Sequence, residues 1–184
     1  MRTETIKLYS YCQLSDEAQE AARYWFLSAC ANDSFYWIYQ EANDSREAFL
    51  NAFDFTEKPG PLGSLSLEYW DIYNGLDISE LSHVRLWKFL QNNYISPDDE
   101  RALVDLAGNC PFTGVVYDEI LLDGIRAFLR SPDHTTFQQL IYECLQALDH
   151  SVDREIQYQL SEEAIAEYIE ANCYEFTADG KVFD

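Results

Sequence analysis

Glu163, Glu167 and Glu170 fall at i, i+4 and i+7, the spacing that puts side chains on one face of an α-helix. Neighbouring Cβ atoms at that spacing lie about 5–6 Å apart, and like charges there cost a few tenths of a kcal/mol per pair. Helix stability gives no reason to place them so. The row is therefore a candidate for meeting a cationic surface, with Glu155, Glu162 and Glu175 extending it. The stretch from Glu143 to Asp179 holds ten carboxylates against a single base, Arg154. A solvated face that serves only solubility is the competing explanation.

Other residue types suited to chemistry form no constellation. Glu80 and His83 make a Glu-x-x-His pair, half of a carboxylate di-iron motif, which needs a second copy and two further glutamates. Only one copy is present, followed by Arg85 and Lys88, so a surface helix pair is the reading. His134 after Ser131-Pro132 marks a helix start, and His150 sits mid-helix facing solvent. Gly108, Gly114 and Gly124 do not form a phosphate loop. No two cysteines have zinc spacing, and neither a His-Glu-x-x-His nor a Gly-x-Ser-x-Gly motif occurs. Four lysines, none following a paired acid on a strand, give no metal-nuclease pattern. No catalytic residue, metal ligand or cofactor site is assigned, and the expected class is a binding protein rather than an enzyme. An enzyme with an unrecognised carboxylate or metal site is the remaining catalytic alternative.

The charge of the whole chain agrees with that choice. Among 184 residues, 33 acidic and 12 basic side chains give a net charge of −21. Residues 93–184 carry −14 of it. Phosphate backbones are bound by basic surfaces, so direct nucleic-acid binding is excluded and a basic partner is favoured. Hydrophobic residues at 47% are enough for a core, which argues against disorder. Cys12, Cys30, Cys110, Cys144 and Cys173 are odd in number and scattered. With no signal peptide and no long apolar run, they read as reduced thiols of a cytoplasmic protein that does not enter a membrane.

The elements that would position these residues follow from periodicity. Ile6–Tyr11 alternates as a strand. Ser15 caps a helix that begins with Asp16 and Glu17, where the helix dipole favours anions. Its stripe is Ala18, Ala21, Ala22, Trp25, Phe26 and Ala29. A second helix runs from Ser34 to Phe53. The Lys58–Gly63 segment breaks it, and Leu65, Leu67 and Tyr69 alternate as a strand continuing towards Tyr73. Shorter helices follow at Ser79–Asn92, after Ser96-Pro97, and at Tyr117–Arg130. A long helix spans Thr135–Leu160, and Ser161 caps another over Glu162–Asn172. Tyr174–Thr177 and Lys181–Phe183 suggest a terminal hairpin. The chain is expected to be one α+β domain over 1–184, mainly helical, with six to seven helices packed on a small antiparallel sheet. Phe35-Tyr36-Trp37 and Tyr69-Trp70 place aromatics side by side that cannot all face one core. They serve either as interface anchors or as the lining of two sides of an element.

The opening run Ile6-Lys7-Leu8-Tyr9-Ser10-Tyr11, then Leu14-Ser15-Asp16-Glu17-Ala18-Gln19-Glu20-Ala21-Ala22-Arg23-Tyr24-Trp25, resembles small acidic proteins encoded by bacteriophages and prophages. So do Cys110-Pro111-Phe112-Thr113-Gly114 and the closing Tyr174-Glu175-Phe176-Thr177-Ala178-Asp179-Gly180-Lys181. The turn at Lys58–Gly63 departs from the pattern. The resemblance implies an anti-defence role in the bacterial cytoplasm, such as inhibition of a CRISPR or restriction complex, or an antitoxin-like role. It supplies no catalytic residues. The expectation is an inhibitor whose acidic face, a candidate DNA mimic, meets the basic surface of a host protein or ribonucleoprotein. Neutralisation of a cognate toxin is the alternative.

Overall fold

A computed structural model describes residues 6–59, 65–69, 77–95 and 112–183. Among these are six α-helices and one two-stranded antiparallel sheet: α1 Asp16–Ala29, α2 Ala31–Ala52, β1 Phe55–Pro59, β2 Leu65–Tyr69, α3 His83–Tyr94, α4 Val116–Arg130, α5 Phe137–Gln159 and α6 Glu162–Ala171. The class is α+β and mainly helical. The helix expected after Ser96-Pro97 and the continuation of the strand towards Tyr73 lie outside the described residues. The chain falls into two compact units, Met1–Tyr39 with Asp153–Asp184, and Gln40–Val152.

The first unit is built on α1 and α6. Ser15 caps α1 by accepting from the Ala18 amide, with Asp16 and Glu17 in the first turn. The buried stripe is narrower than the sequence suggested. Ala18, Ala22 and Phe26 are buried, Trp25 is half-buried, and Ala21 and Ala29 are exposed. Positions i, i+4 and i+8 are enough because α6 brings Ile165 and Ile169 into the same core, with Tyr11, Leu14 and Phe176. Trp25 packs edge-on to Tyr174 at 4.9 Å and to Phe176 at 6.0 Å. Such aromatic pairs add about 0.5–1.5 kcal/mol beyond their burial.

The strand expected over Ile6–Tyr11 shrinks to one residue. Tyr9 exchanges two backbone hydrogen bonds of 2.9 Å with Phe176. The run then turns into a single 3-10 turn at Tyr11–Gln13, where the Ser10 amide donates to Gln13 Oε1. The terminal hairpin forms, although only Phe176 and Val182 pair as a bridge. Its turn is closed by Gly180 N donating to Thr177 O at 2.9 Å.

The second unit has an aromatic centre. Phe137, fully buried at the start of α5, touches Phe55 at 5.1 Å, Phe89 at 5.7 Å and Phe53 at 6.2 Å. Strand β1 was not foreseen. Helix α2 stops at Ala52, Asp54 takes a left-handed conformation (φ 60°), and Phe55–Pro59 pairs with Leu65–Tyr69 in the register Glu57↔Leu67. Lys58 and Pro59, expected to turn the chain, thus belong to a strand.

The helix expected over Ser79–Asn92 is broken. Asp77 caps a 3-10 turn at Ile78–Glu80, and α3 begins only at His83. Between them Leu81 is extended, and its carbonyl accepts from Phe137 N at 2.8 Å, beside a Ser82↔Thr136 bridge. Pairing with the chain entering α5 replaces the helical bonds that Leu81 and Ser82 would have made.

Candidate functional site

The carboxylates singled out in the sequence gather where α5 ends and α6 begins. Leu160 and Ser161 alone separate the two helices. Ser161 Oγ accepts from Ala164 N at 3.2 Å, which satisfies one of the free amides of the first turn. Helix α6 buries Ala164, Ile165 and Ile169. At 100° per residue the opposite face carries Glu163, Glu167 and Glu170, and all three are exposed. The row predicted from spacing is therefore real at the level of helix faces.

Their positions along α6 differ in local electrostatics. Glu162 and Glu163 occupy the first turn, where the helix dipole stabilises anions. Glu170 sits in the last turn, where the dipole opposes it, and no basic side chain offsets it there.

Tyr158 shows how closely the carboxylates converge. Its hydroxyl donates to Glu167 Oε2 at 3.4 Å. Its pKa is raised from the ordinary phenol value, first by the charge of Glu167 and further by Glu163 and Glu155. Those three carboxylates therefore act on one exposed phenol from two helices. Glu155 itself is half-buried and accepts from Gln159 Nε2 at 2.8 Å.

Glu162 and Glu175 stand apart from the row. Glu162 lies about 100° round the helix from Glu163 and accepts from Arg23 Nη1 at 2.6 Å. Glu175 is exposed on the terminal hairpin, and its carbonyl accepts from Phe183 N. Among the described residues, no Lys or Arg forms an ion pair with Glu155, Glu163, Glu167, Glu170 or Glu175.

Some acids elsewhere form ion pairs. Arg46 bridges Glu57 and Asp149, and the buried Arg126 meets Glu119 at 2.5 Å and Asp123 at 3.3 Å. Lys58 pairs with Glu68, and Lys181 with Asp179. The fold or a turn brings most of these partners together, but Asp123 and Arg126 sit at i, i+3 on α4, a pairing that helical spacing alone could have shown. Sequence reasoning also missed Asp118, which is fully buried and accepts from Thr113 N at 2.7 Å, Gly114 N at 2.8 Å and Thr113 Oγ1 at 2.9 Å. That carboxylate holds the loop entering α4. The Thr113-Gly114 pair four to five residues upstream was its only sequence signal.

Among the described residues, the remaining candidates form no chemical centre. Glu80 and His83 do not share a helix face, because the chain breaks between them. His83 instead lies nearly parallel to His134, with ring centroids 5.0 Å apart. His150 is exposed on α5 as expected. Among the described residues, no group of three or more His, Cys, Asp or Glu is placed to hold a metal ion. Cys144 is buried and its thiol is pushed up to about 12 by that burial, so it is a packing residue and no nucleophile. A cleft of about 250 Å³ beside Arg46 is lined by Asn43, Glu47, Asn51, Thr56 and Glu57, and its guanidinium is already engaged by two carboxylates. No helix among the described residues is long and apolar enough to cross a membrane. No protein family, curated protein or solved structure matches the chain.

Proposed function

We propose that this chain is a binding protein whose α5–α6 carboxylates occupy a basic, nucleic-acid-binding surface on another macromolecule and block it. The observation that carries the reading is the exposed row Glu163, Glu167 and Glu170, which has no ion-pair partner among the described residues. The row is rigid because it rides on a capped helix whose other face is buried.

Its spacing suits the task. Glu163 and Glu167 are about 6 Å apart along the helix axis, and Glu167 and Glu170 about 4.5 Å. Duplex DNA carries one charge per ~3.4 Å on each strand. The row is sparser than DNA but still closer than the ~8 Å Debye length at physiological salt. The fields of neighbouring carboxylates in the row therefore add before salt screens them. Complementary charge of this kind speeds association and selects partners more than it adds affinity. The sequence resemblance to acidic phage proteins points to CRISPR or restriction effectors as the partner class.

The test is competition. Labelled duplex DNA is bound to such an effector and the chain is titrated in, as wild type and as Glu163→Lys/Glu167→Lys/Glu170→Lys. The wild type should displace the DNA and the triple variant should fail. Equal displacement by both would remove α6 from the account.

A further inference from the structure

The first half of α2 splits its side chains in an unusual way. Phe35 and Ile38 are half-buried, and Phe35 packs against the core of the first unit. Tyr36, Trp37 and Tyr39 are 60%, 63% and 51% exposed. Single exposed aromatics are ordinary on protein surfaces. Tyr36 and Trp37 are adjacent and form a joint aromatic surface, whereas Tyr39 lies about 160° round the helix from Trp37. The rings of Tyr36 and Trp37 already meet edge to face, with centroids 5.6 Å apart at 77°. Each ring is thereby braced by the other, so little freedom is lost when a partner lands on it.

Charge selects the occupant. The unit that holds these rings has 14 acidic and 5 basic side chains, net −9. No lysine or arginine occurs between Arg23 and Arg46, while Asp33 and Glu41 lie four residues before and after Trp37. A second copy of this chain would bring the same negative charge against the patch and be repelled. The negative faces of aromatic rings attract cations, and a planar guanidinium stacks on them better than an ammonium does. The geometry points to Tyr36 and Trp37 as a platform that takes arginine side chains of a basic protein partner by cation–π stacking. This rests on the proposed function only for the partner being basic. It adds the side-chain class recognised and a second set of residues that recognise it.

The experiment titrates ten-residue oligoarginine and oligolysine peptides into the full chain by calorimetry at low and moderate salt. A leucine–serine peptide without charge is the control. The wild type should bind oligoarginine about two- to fivefold more tightly than oligolysine, the fold-change expected of a stacked cation at an exposed site. Tyr36→Ala/Trp37→Ala should abolish that preference and leave the salt dependence unchanged, and Trp37→Phe alone should keep most of it. Glu163→Gln/Glu167→Gln/Glu170→Gln should reduce the salt dependence and keep the arginine preference. Equal binding of both cationic peptides by the wild type, or an unaltered preference in the aromatic variant, overturns the platform. So does equally tight binding of the uncharged peptide, or a wild-type dimer that the aromatic variant dissolves. If the aromatic variant loses the preference while the glutamine variant behaves as wild type, the platform stands and the role given to α6 falls.

Discussion

Gly180 ties the terminal hairpin to α1, and replacing it with alanine tests whether that hairpin is docked as described. Its φ of +79° lies in the left-handed region, and a Cβ built there would stand 2.1 Å from the carbonyl oxygen of Ala18. The left-handed conformation costs an L-residue about 1–2 kcal/mol. The clash is with backbone inside a capped helix, which has no rotamer to yield, so the hairpin must move instead. Phe176, fully buried on that hairpin, would lose part of a burial worth about 1.5–3 kcal/mol. The expected loss for Gly180→Ala is therefore about 2–5 kcal/mol. Gly114 provides the control, because it also has positive φ (+85°) but nothing within 4 Å of its built Cβ. Gly114→Ala should cost only the left-handed term, about 1–2 kcal/mol. Urea denaturation measures both losses. Amide exchange at Tyr9 and Phe176, which bond each other, reports hairpin release directly. A Gly180→Ala variant no less stable than Gly114→Ala, with those amides still protected, would refute the docking.

Asp118→Ala removes the acceptor for two backbone amides and the Thr113 hydroxyl, and orphaned donors cost about 1–3 kcal/mol each. A loss of about 3–5 kcal/mol in urea denaturation is expected, and a loss under 1 kcal/mol would show that the loop is not held by this carboxylate. The Asp179 carboxyl is lowered to about 2 by its bond to Lys181 and by Thr177. A depressed folded-state pKa means that its contribution to stability is complete above about pH 4 and lost as pH falls through about 2. Carboxyl NMR should show that low midpoint and its return towards ~3.9 in Lys181→Ala; an unshifted midpoint in the variant would contradict the pairing. A Cβ on Gly124 would stand 2.4 Å from Cys144 Sγ. Gly124→Ala should therefore cost about 1–3 kcal/mol by overpacking and be largely rescued by Cys144→Ala in a double-mutant cycle, whereas additive losses would place the strain elsewhere.

Much of the helical frame was legible because the determinants are local. Ser15 and Ser161 cap where their spacing to the next apolar stripe requires, and α4 and α5 begin and end within two residues of their periodic stripes. The row Glu163, Glu167 and Glu170 needed only helical periodicity and a capped start. What failed depended on partners distant in sequence. Leu81 and Ser82 leave the helical path to pair with the chain before α5, and no local pattern announces it. Ile6–Tyr11 alternates like a strand but finds a partner only at Tyr9. Glu162 looked like a member of the row until Arg23, 139 residues earlier, was seen to hold it. The adjacent aromatics of Phe35-Tyr36-Trp37 were ambiguous for the same reason, since only packing shows that Phe35 turns inward while the next two do not.

The central claim concerns α6, and the salt dependence of association tests it most directly. The association rate with a DNA-binding CRISPR or restriction effector is measured by stopped flow across a series of salt concentrations. The wild type is compared with Glu163→Gln/Glu167→Gln/Glu170→Gln, which keeps the helix and removes the charge. Electrostatic steering falls steeply with ionic strength. The account predicts a steep decline for the wild type and a rate roughly tenfold lower and much flatter for the variant at low salt. Superimposable salt profiles for the two proteins would contradict it.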